Sequence, residues 1–499
     1  MVTRRVLLLG AILLTTGCAD VLGIEARNFA PCETTRECRA REGPGSFCDA
    51  GACTNVPAAA DSCVLLEPAD TPTSVAEHDW DPGEPVVLGV LYRLENEGEV
   101  ARLLAMRLAV REINENLGLG FQRRLVMVAC DYGGGDGLLD GTAAREAIES
   151  GVDYLADDLG ASAIIAGSSS ASTQVAINHI VLRDLPVAYV SSFSTSTQLT
   201  DYADNGLLWR TAATDAGQAV ALAELIAGTA GLGHVAIVYV DDTYGRPLQQ
   251  SVNVELGNLG SSVTTSLHSF ESSETSFESV VDDALAESPD GMLVIGIDGA
   301  TVISVYEALV ATGNHGSIAH HFLADAAKDQ TALLSDDLEP AVRDIVAGAL
   351  GTAPYHSTGA QYETFKRALA DAFEIDADGF SFLAQSYDAA YLGGYGLAYA
   401  EAADSPDGTT VASGFARTVE GTTILVGKPD WNQARSILTT GDDADRTIDI
   451  DGTSGPLDFD VTTGDTSGPM EIWRPTADFS SFETCAVCGA ESCDLSGCQ

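Results

Sequence analysis

The sequence predicts an α/β protein built on doubly wound parallel sheets, and three observations carry that prediction. Near-continuous apolar runs recur along the chain: PVVLGVLY at 85–92, RRLVMVACD at 123–131, SAIIAG at 162–167, PVAYVS at 186–191, HVAIVYV at 234–240, GMLVIGI at 291–297 and HHFLAD at 320–325. A strand covered on both faces reads this way, because neither face has to meet water. Helical periodicity separates the runs. EVARLLAMRLAVREINE (99–115) sets Val100, Leu104 and Leu108 on one ridge and Leu103, Met106, Val110 and Ile113 on the next, and AGQAVALAELIAG and SVVDDALAE alternate with later strands. The chain is also long enough, at 499 residues, for about three domains, or for two lobes plus small extras.

From the N-terminus, MVTRRVLLLGAILLTTGCAD opens with Arg4 and Arg5 ahead of an apolar run from Val6 to Leu14. That run is too short to span a bilayer and has the shape of a signal peptide over residues 1–18. Its end resembles a bacterial lipobox, since Thr15, Thr16 and Gly17 lead into Cys18, whose thiol would carry a lipid anchor. The leucine usual three residues before the cysteine is displaced, because Leu14 lies four before it.

Ten further cysteines follow, which in an exported protein reads as disulfides. The segment 19–63 has little apolar content, so a fold there needs covalent staples. The expectation is two bridges among Cys32, Cys38, Cys48 and Cys53 and two among Cys485, Cys488, Cys493 and Cys498. Cys63 and Cys130 then pair by elimination. A four-thiolate zinc site is the alternative for the tail, 476–499, which opens Cys-x-x-Cys. Residues 64–85 carry Pro, Ala, Asp and Thr without periodicity and read as a linker.

Two bursts of hydroxyls mark the functional end of the sheet. GSSSAST and SSFSTST each follow an apolar run, and so lie at the carboxyl ends of strands, where ligands of open α/β sheets bind. The first burst also begins the helix STQVAINHIVLR. Helix N-termini with serine and threonine offer unpaired N–H groups and extra donors to a small anion, and also cap helices with no ligand at all.

Charge and motifs exclude other classes. Acids outnumber bases 73 to 25, a formal charge of −48, so no basic surface exists for nucleic acid. G-x-S-x-G and H-E-x-x-H are absent, Gly427-Lys428 is followed by Pro429 rather than a phosphate loop, and DIDG at 449–452 lacks the remaining ligands of a calcium loop. His320 and His321 alternate across a strand and cannot share a metal. No enzyme, cofactor or metal is expected.

In order and spacing, AGSSSASTQVA, LPVAYVSSFSTSTQLT, LLWRTAATDAGQA, HVAIVYVDDTYGRPL and IDGTSGPLDFDVTTGD resemble the type I periplasmic binding proteins. The nearest branch binds leucine, isoleucine and valine and shares its fold with the ligand-binding domains of metabotropic glutamate receptors. The resemblance implies a two-lobed clamshell with three crossovers, lobe 1 at 86–213 and 350–447, lobe 2 at 214–349 and 448–475. It also implies site residues. Ser170 and Thr195 match the positions that hold an amino acid's carboxylate, Ser194 a neighbour with backbone contacts to the ammonium, Tyr244 the aromatic that closes from lobe 2, and Asp325 the acid facing the ammonium.

The loop LYRLENEGE departs from the family's small residues and places Tyr92 and Arg93 at the pocket mouth, and Asp298 replaces a frequent aromatic. Arg93 either reads an acidic ligand side chain or pairs with surface acids. The function implied is a lipid-anchored extracytoplasmic receptor that captures an amino acid or analogue for a membrane permease or sensor. The alternative is a surface interaction lipoprotein that keeps the clamshell without a ligand.

Overall fold

Each apolar run of the sequence becomes a strand that is almost wholly buried. The computed structural model describes residues 31–33, 37–38, 41, 46–49, 51–55, 62–68, 73–75, 85–120, 123–133, 141–356, 358–489 and 492–498. The first part of the chain supplies β1 (Cys63–Glu67), β2 (Thr73–Ser74), β3 (Val86–Tyr92), α1 (Glu97–Glu115), β4 (Leu125–Asp131), α2 (Gly141–Asp153), β5 (Ala163–Ala166), α3 (Ser170–Arg183), β6 (Ala188–Ser191) and β7 (Leu208–Ala213). The middle supplies α4 (Asp215–Gly228), β8 (His234–Val240), α5 (Gly245–Asn258), β9 (Thr264–Phe270), α6 (Glu278–Ala286), β10 (Gly291–Ile295), α7 (Gly299–Ala311), β11 (His320–Leu323), α8 (Pro340–Ala347) and β12 (Leu350–Pro354). The last part supplies α9 (Ala360–Phe373), α10 (Leu383–Ala402), α11 (Gly408–Phe415), β13 (Thr422–Leu425), α12 (Trp431–Thr439), β14 (Ile448–Asp451), β15 (Asp465–Thr466), β16 (Met470–Pro475) and β17 (Phe482–Cys488).

Two large sheets result, one per lobe, beside two small two-stranded ones. Lobe 1 has the order β15-β7-β6-β5-β3-β4-β1-β2 and lobe 2 the order β9-β8-β10-β11-β12-β16-β17. The central pairs are parallel, as β3 with β4 and β5, and β8 with β9 and β10. Antiparallel strands finish one edge of each sheet: β1 on β4, and β16 with β17 beyond β12. Each lobe has its own apolar core. Three crossovers join the lobes, after β7, after β12 and between β15 and β16, so the molecule is a two-lobed α/β clamshell.

Two of those crossovers sit elsewhere than expected. Residues 350–354 form β12 in the lobe 2 sheet, so the chain re-enters lobe 1 only after Pro354. Residues 448–451 pair with β13, and Leu457 and Phe459 pack in the lobe 1 core, so lobe 1 extends past residue 447 to β15. Close backbone approach explains the first shift: a Cβ at Gly351 would lie 2.2 Å from the ring of Trp473, the fully buried indole that β16 lays across β12.

The stretch read as linker holds a strand as well. Cys63, Leu65 and Leu66 of β1 are buried, and Glu67 accepts from Arg107 (3.0 Å) and Arg111 (2.9 Å) of α1. Cys63 and Cys130 are directly paired across β1 and β4 and form a disulfide, as elimination suggested. Cys485–Cys498 and Cys488–Cys493 are also bridged, which removes the zinc alternative for the tail. Near the N-terminus Cys38 is joined to Cys53, and Cys32 is disulfide-bonded. Among the described residues, Cys32, Cys38 and Cys53 form the one group of three or more His, Cys, Asp or Glu residues close enough to hold a metal, and disulfides consume it. Cys18 and the side chain of Cys48 lie outside the described residues.

Candidate ligand site between the lobes

Both hydroxyl bursts lie where strand ends meet helix starts, yet most of their hydroxyls knit the protein to itself. Ser169 caps α3 by accepting from the Ser172 amide at 3.2 Å, and Ser170 Oγ accepts from the Ser196 amide at 3.2 Å. Ser192 Oγ meets Ser386 Oγ of α10 at 2.7 Å, and Ser196 Oγ donates across the cleft to the Thr243 carbonyl at 2.6 Å. Arg210, buried in β7, braces the second burst by donating to the carbonyls of Ser196 (2.7 Å) and Ser194 (3.3 Å) and to Asp465 Oδ1 (2.6 Å).

An inner cavity of about 10 Å³ lies between the lobes, lined by Ser170, Phe193, Thr195, Asp242, Tyr244 and Asp325, together with Ser169, Ile297 and Ala326. Four of the five residues matched to the family's ligand set therefore meet here. Ser194 does not line it. Its hydroxyl points into lobe 1, accepting from Ser191 Oγ (2.8 Å) and lying 2.7 Å from Thr173 Oγ1 and 3.1 Å from the Ser168 carbonyl.

A second chamber of about 340 Å³ shares Ser169, Asp242 and Ile297 with the first. Arg93 and Asp298 line it, Arg145 and Tyr132 among the others, and Tyr92 does not. Tyr92 is buried, and burial followed by the charge of Asp131 pushes its phenol up to about 12. Arg93 is committed to Glu99, through Nε to Oε1 and its own amide to Oε2, both at 2.8 Å. Burial works against its charge, but Glu99, Tyr132 and Asp298 together more than offset that and hold its pKa above the ordinary value. Its partner is thus a buried acid at the first turn of α1, neither a surface acid nor a free ligand contact. Asp298 caps α7 through the Thr301 amide (2.9 Å) and accepts from Asn96 Nδ2 of lobe 1 (3.0 Å), one of the bonds that hold the cleft shut.

The lobe 2 wall is anionic. Asp325 is buried, accepts from the Tyr244 hydroxyl, and accepts from the Ala326 amide at 2.9 Å. Beside it, outside the cavity lining, stands Asp215, the first residue of α4 and fully buried. Gln218, in the amide orientation that satisfies its neighbours, donates to Asp215 Oδ1 at 2.9 Å and accepts from the Asp325 amide at 2.8 Å. Asp215 Oδ2 has no hydrogen-bond partner. Burial raises the carboxyl of Asp325, and burial and then the charge of Asp325 push that of Asp215 well above the carboxylate range. The inner lining contains no lysine or arginine.

Aromatic groups close the floor. The Phe193 ring lies under the buried Arg102 guanidinium at 3.9 Å and meets Phe382 edge-on at 4.7 Å. Phe382 holds φ +69°, a conformation that a bulky side chain adopts only when its surroundings enforce it.

Residues 97–476 match the family described as periplasmic binding protein, and the chain belongs to that family. Among solved structures, the leucine-binding protein LivK of Thermotoga maritima superposes with a TM-score of 0.61 at 17% identity, covering 81% of this chain and 99% of that one. The binding protein LivJ of Streptococcus pneumoniae, in complex with isoleucine, gives 0.60 at 15% identity over 80% of this chain and 99% of that one. A Rhodopseudomonas palustris solute-binding protein of an ABC transporter, in complex with 3,4-dihydroxybenzoic acid, gives 0.60 at 14% identity over 83% and 99%. No curated protein sequence matches.

Proposed function

We propose that this chain is an extracytoplasmic receptor that shuts its lobes on a small solute bearing both an amine and a carboxylate. The observation that carries the reading is the asymmetry of the inner cavity: neutral hydroxyls and a helix N-terminus on lobe 1, and on lobe 2 the buried carboxyl of Asp325, with no lysine or arginine in the lining. Ser170 and Thr195 would take the carboxylate through neutral donors, and Asp325 with Asp215 would take the ammonium, which supplies the missing positive charge. The rest of the solute would extend into the larger chamber past Ser169, Asp242 and Ile297. Binding rather than catalysis fits the family, and so does delivery to a membrane permease or sensor. An anchor through Cys18 would keep the receptor at the membrane.

One observation favours a second reading. The inner cavity is about the size of one water molecule, and the Tyr244–Asp325 contact already occupies it, as in a clamshell that closes without a solute. Thermal-shift screening against amino acids, small carboxylates and purines separates the two. A solute present at a hundred times its Kd stabilises the folded protein by about 2.7 kcal/mol. Stabilisation by an amino acid or amine-bearing analogue supports the receptor, and a flat response across the panel favours the closed, ligandless clamshell.

A further inference from the structure

The turn that presents Asp325 is pinned on two sides. From lobe 1, the Ser381 hydroxyl donates to the Asp325 carbonyl (3.0 Å) and the Ser381 amide to the Lys328 carbonyl (3.1 Å). From lobe 2, Lys328 sends its buried ammonium to Glu471 Oε1 of β16 at 2.5 Å. The other oxygen, Glu471 Oε2, accepts from Thr484 Oγ1 of β17 at 2.5 Å. Thr484 precedes Cys485, whose disulfide to Cys498 folds the tail back on β17, and Cys488–Cys493 closes the strand's far end.

A buried ion pair is favourable only when its remaining lone pairs are satisfied and its geometry is held. Here the final hydrogen bond comes from β17, which begins at Phe482, beyond residue 476 where the family match stops. We infer that Thr484 and the disulfide-stapled β17 are positioning elements of the ligand site, acting through Glu471 and Lys328 to fix the turn that carries Asp325. The tail added to this chain would thus set how firmly lobe 2 presents its acid. The inference rests on the reading that Asp325 faces the solute, but the coupling itself is measurable with no solute present.

The test is amide hydrogen exchange on the full chain, comparing wild type with Thr484→Val and Thr484→Ser. The amides of Ala326, Ala327 and Lys328 are all held inside the turn. Losing a hydrogen bond to a charged group should speed their exchange about tenfold in Thr484→Val, with Thr484→Ser restoring the wild-type rate and β10 unchanged in both. Replacing Cys485 and Cys498 together by serine should move the same amides in the same direction. Faster exchange confined to residues 470–488, equal acceleration throughout lobe 2, or failure of Thr484→Ser to restore the rate would each overturn the inference. A solute whose affinity ignores Asp325 would instead overturn the functional reading and leave the coupling standing.

Discussion

The two walls of the inner cavity are built on opposite electrostatic plans. Lobe 1 offers dipoles already bonded to one another, so its donors are in place and cost little to keep buried. Lobe 2 offers the carboxyls of Asp325 and Asp215 taken out of water, a desolvation that the charge of Arg210 on Asp215 does not offset and that is unfavourable until a positive charge arrives or a proton is taken up. The contrast assigns selectivity between the lobes. On the proposed reading the hydroxyl wall would accept many carboxylates, whereas the acidic wall would distinguish a solute with an amine from one without.

The sharpest way to break this contrast is Asp325→Ala. Stranding a buried ammonium should weaken an amino-acid solute by about 2–5 kcal/mol, read by calorimetry. Ser170→Ala removes a neutral donor to a charged oxygen and should cost about 1.5–3 kcal/mol in the same titration.

Asp215→Asn sharpens the comparison through pH. A carboxyl whose folded pKa is raised binds a proton more tightly folded than unfolded, so its contribution is fully present below the unfolded value of about 3.8 and is lost as pH rises through the higher folded value. The solute-free wild type should therefore lose stability as pH climbs from about 4, and Asp215→Asn should flatten that decline in a series of thermal melts. The smallest effect on binding is expected for Ser194→Ala. Its hydroxyl bonds only within lobe 1, so the variant should lose about 1 kcal/mol of stability in denaturant titrations while its solute affinity stays at the wild-type value.

The parts legible in the sequence are those written in local pattern. The runs that become β3 to β6, β8, β10 and β11 are near-continuously apolar, and the helix at 99–115 shows its ridges directly. The two hydroxyl bursts are legible because hydroxyls cluster at strand ends, whereas Ser170, Thr195, Tyr244 and Asp325 are singled out within their segments only by the resemblance to the family. What escaped depends on residues distant in the chain. β1 is a short apolar run ending before Pro68, and it becomes a strand because Arg107, Arg111 and Cys130, 40 to 67 residues beyond their partners, receive it. Asp215 reads as an ordinary first-turn acid of a helix, and only the crossover places it against Asp325. Ser194 sits inside the motif, where the resemblance assigns it backbone contacts, and the turn after β6 directs its hydroxyl into lobe 1.

The central claim is that lobe 1 reads the carboxylate and lobe 2 the amine. Calorimetry of the wild type and of Asp325→Ala, each titrated with the amino acid found by screening and with its deaminated analogue, tests that division most directly. The account predicts that the wild type prefers the amino acid and that Asp325→Ala erases the preference while still binding the plain acid through Ser170 and Thr195. A preference that survives in Asp325→Ala, or a solute whose affinity ignores Asp325 and collapses in Ser170→Ala, would contradict it and make the cleft a site for a simple anion.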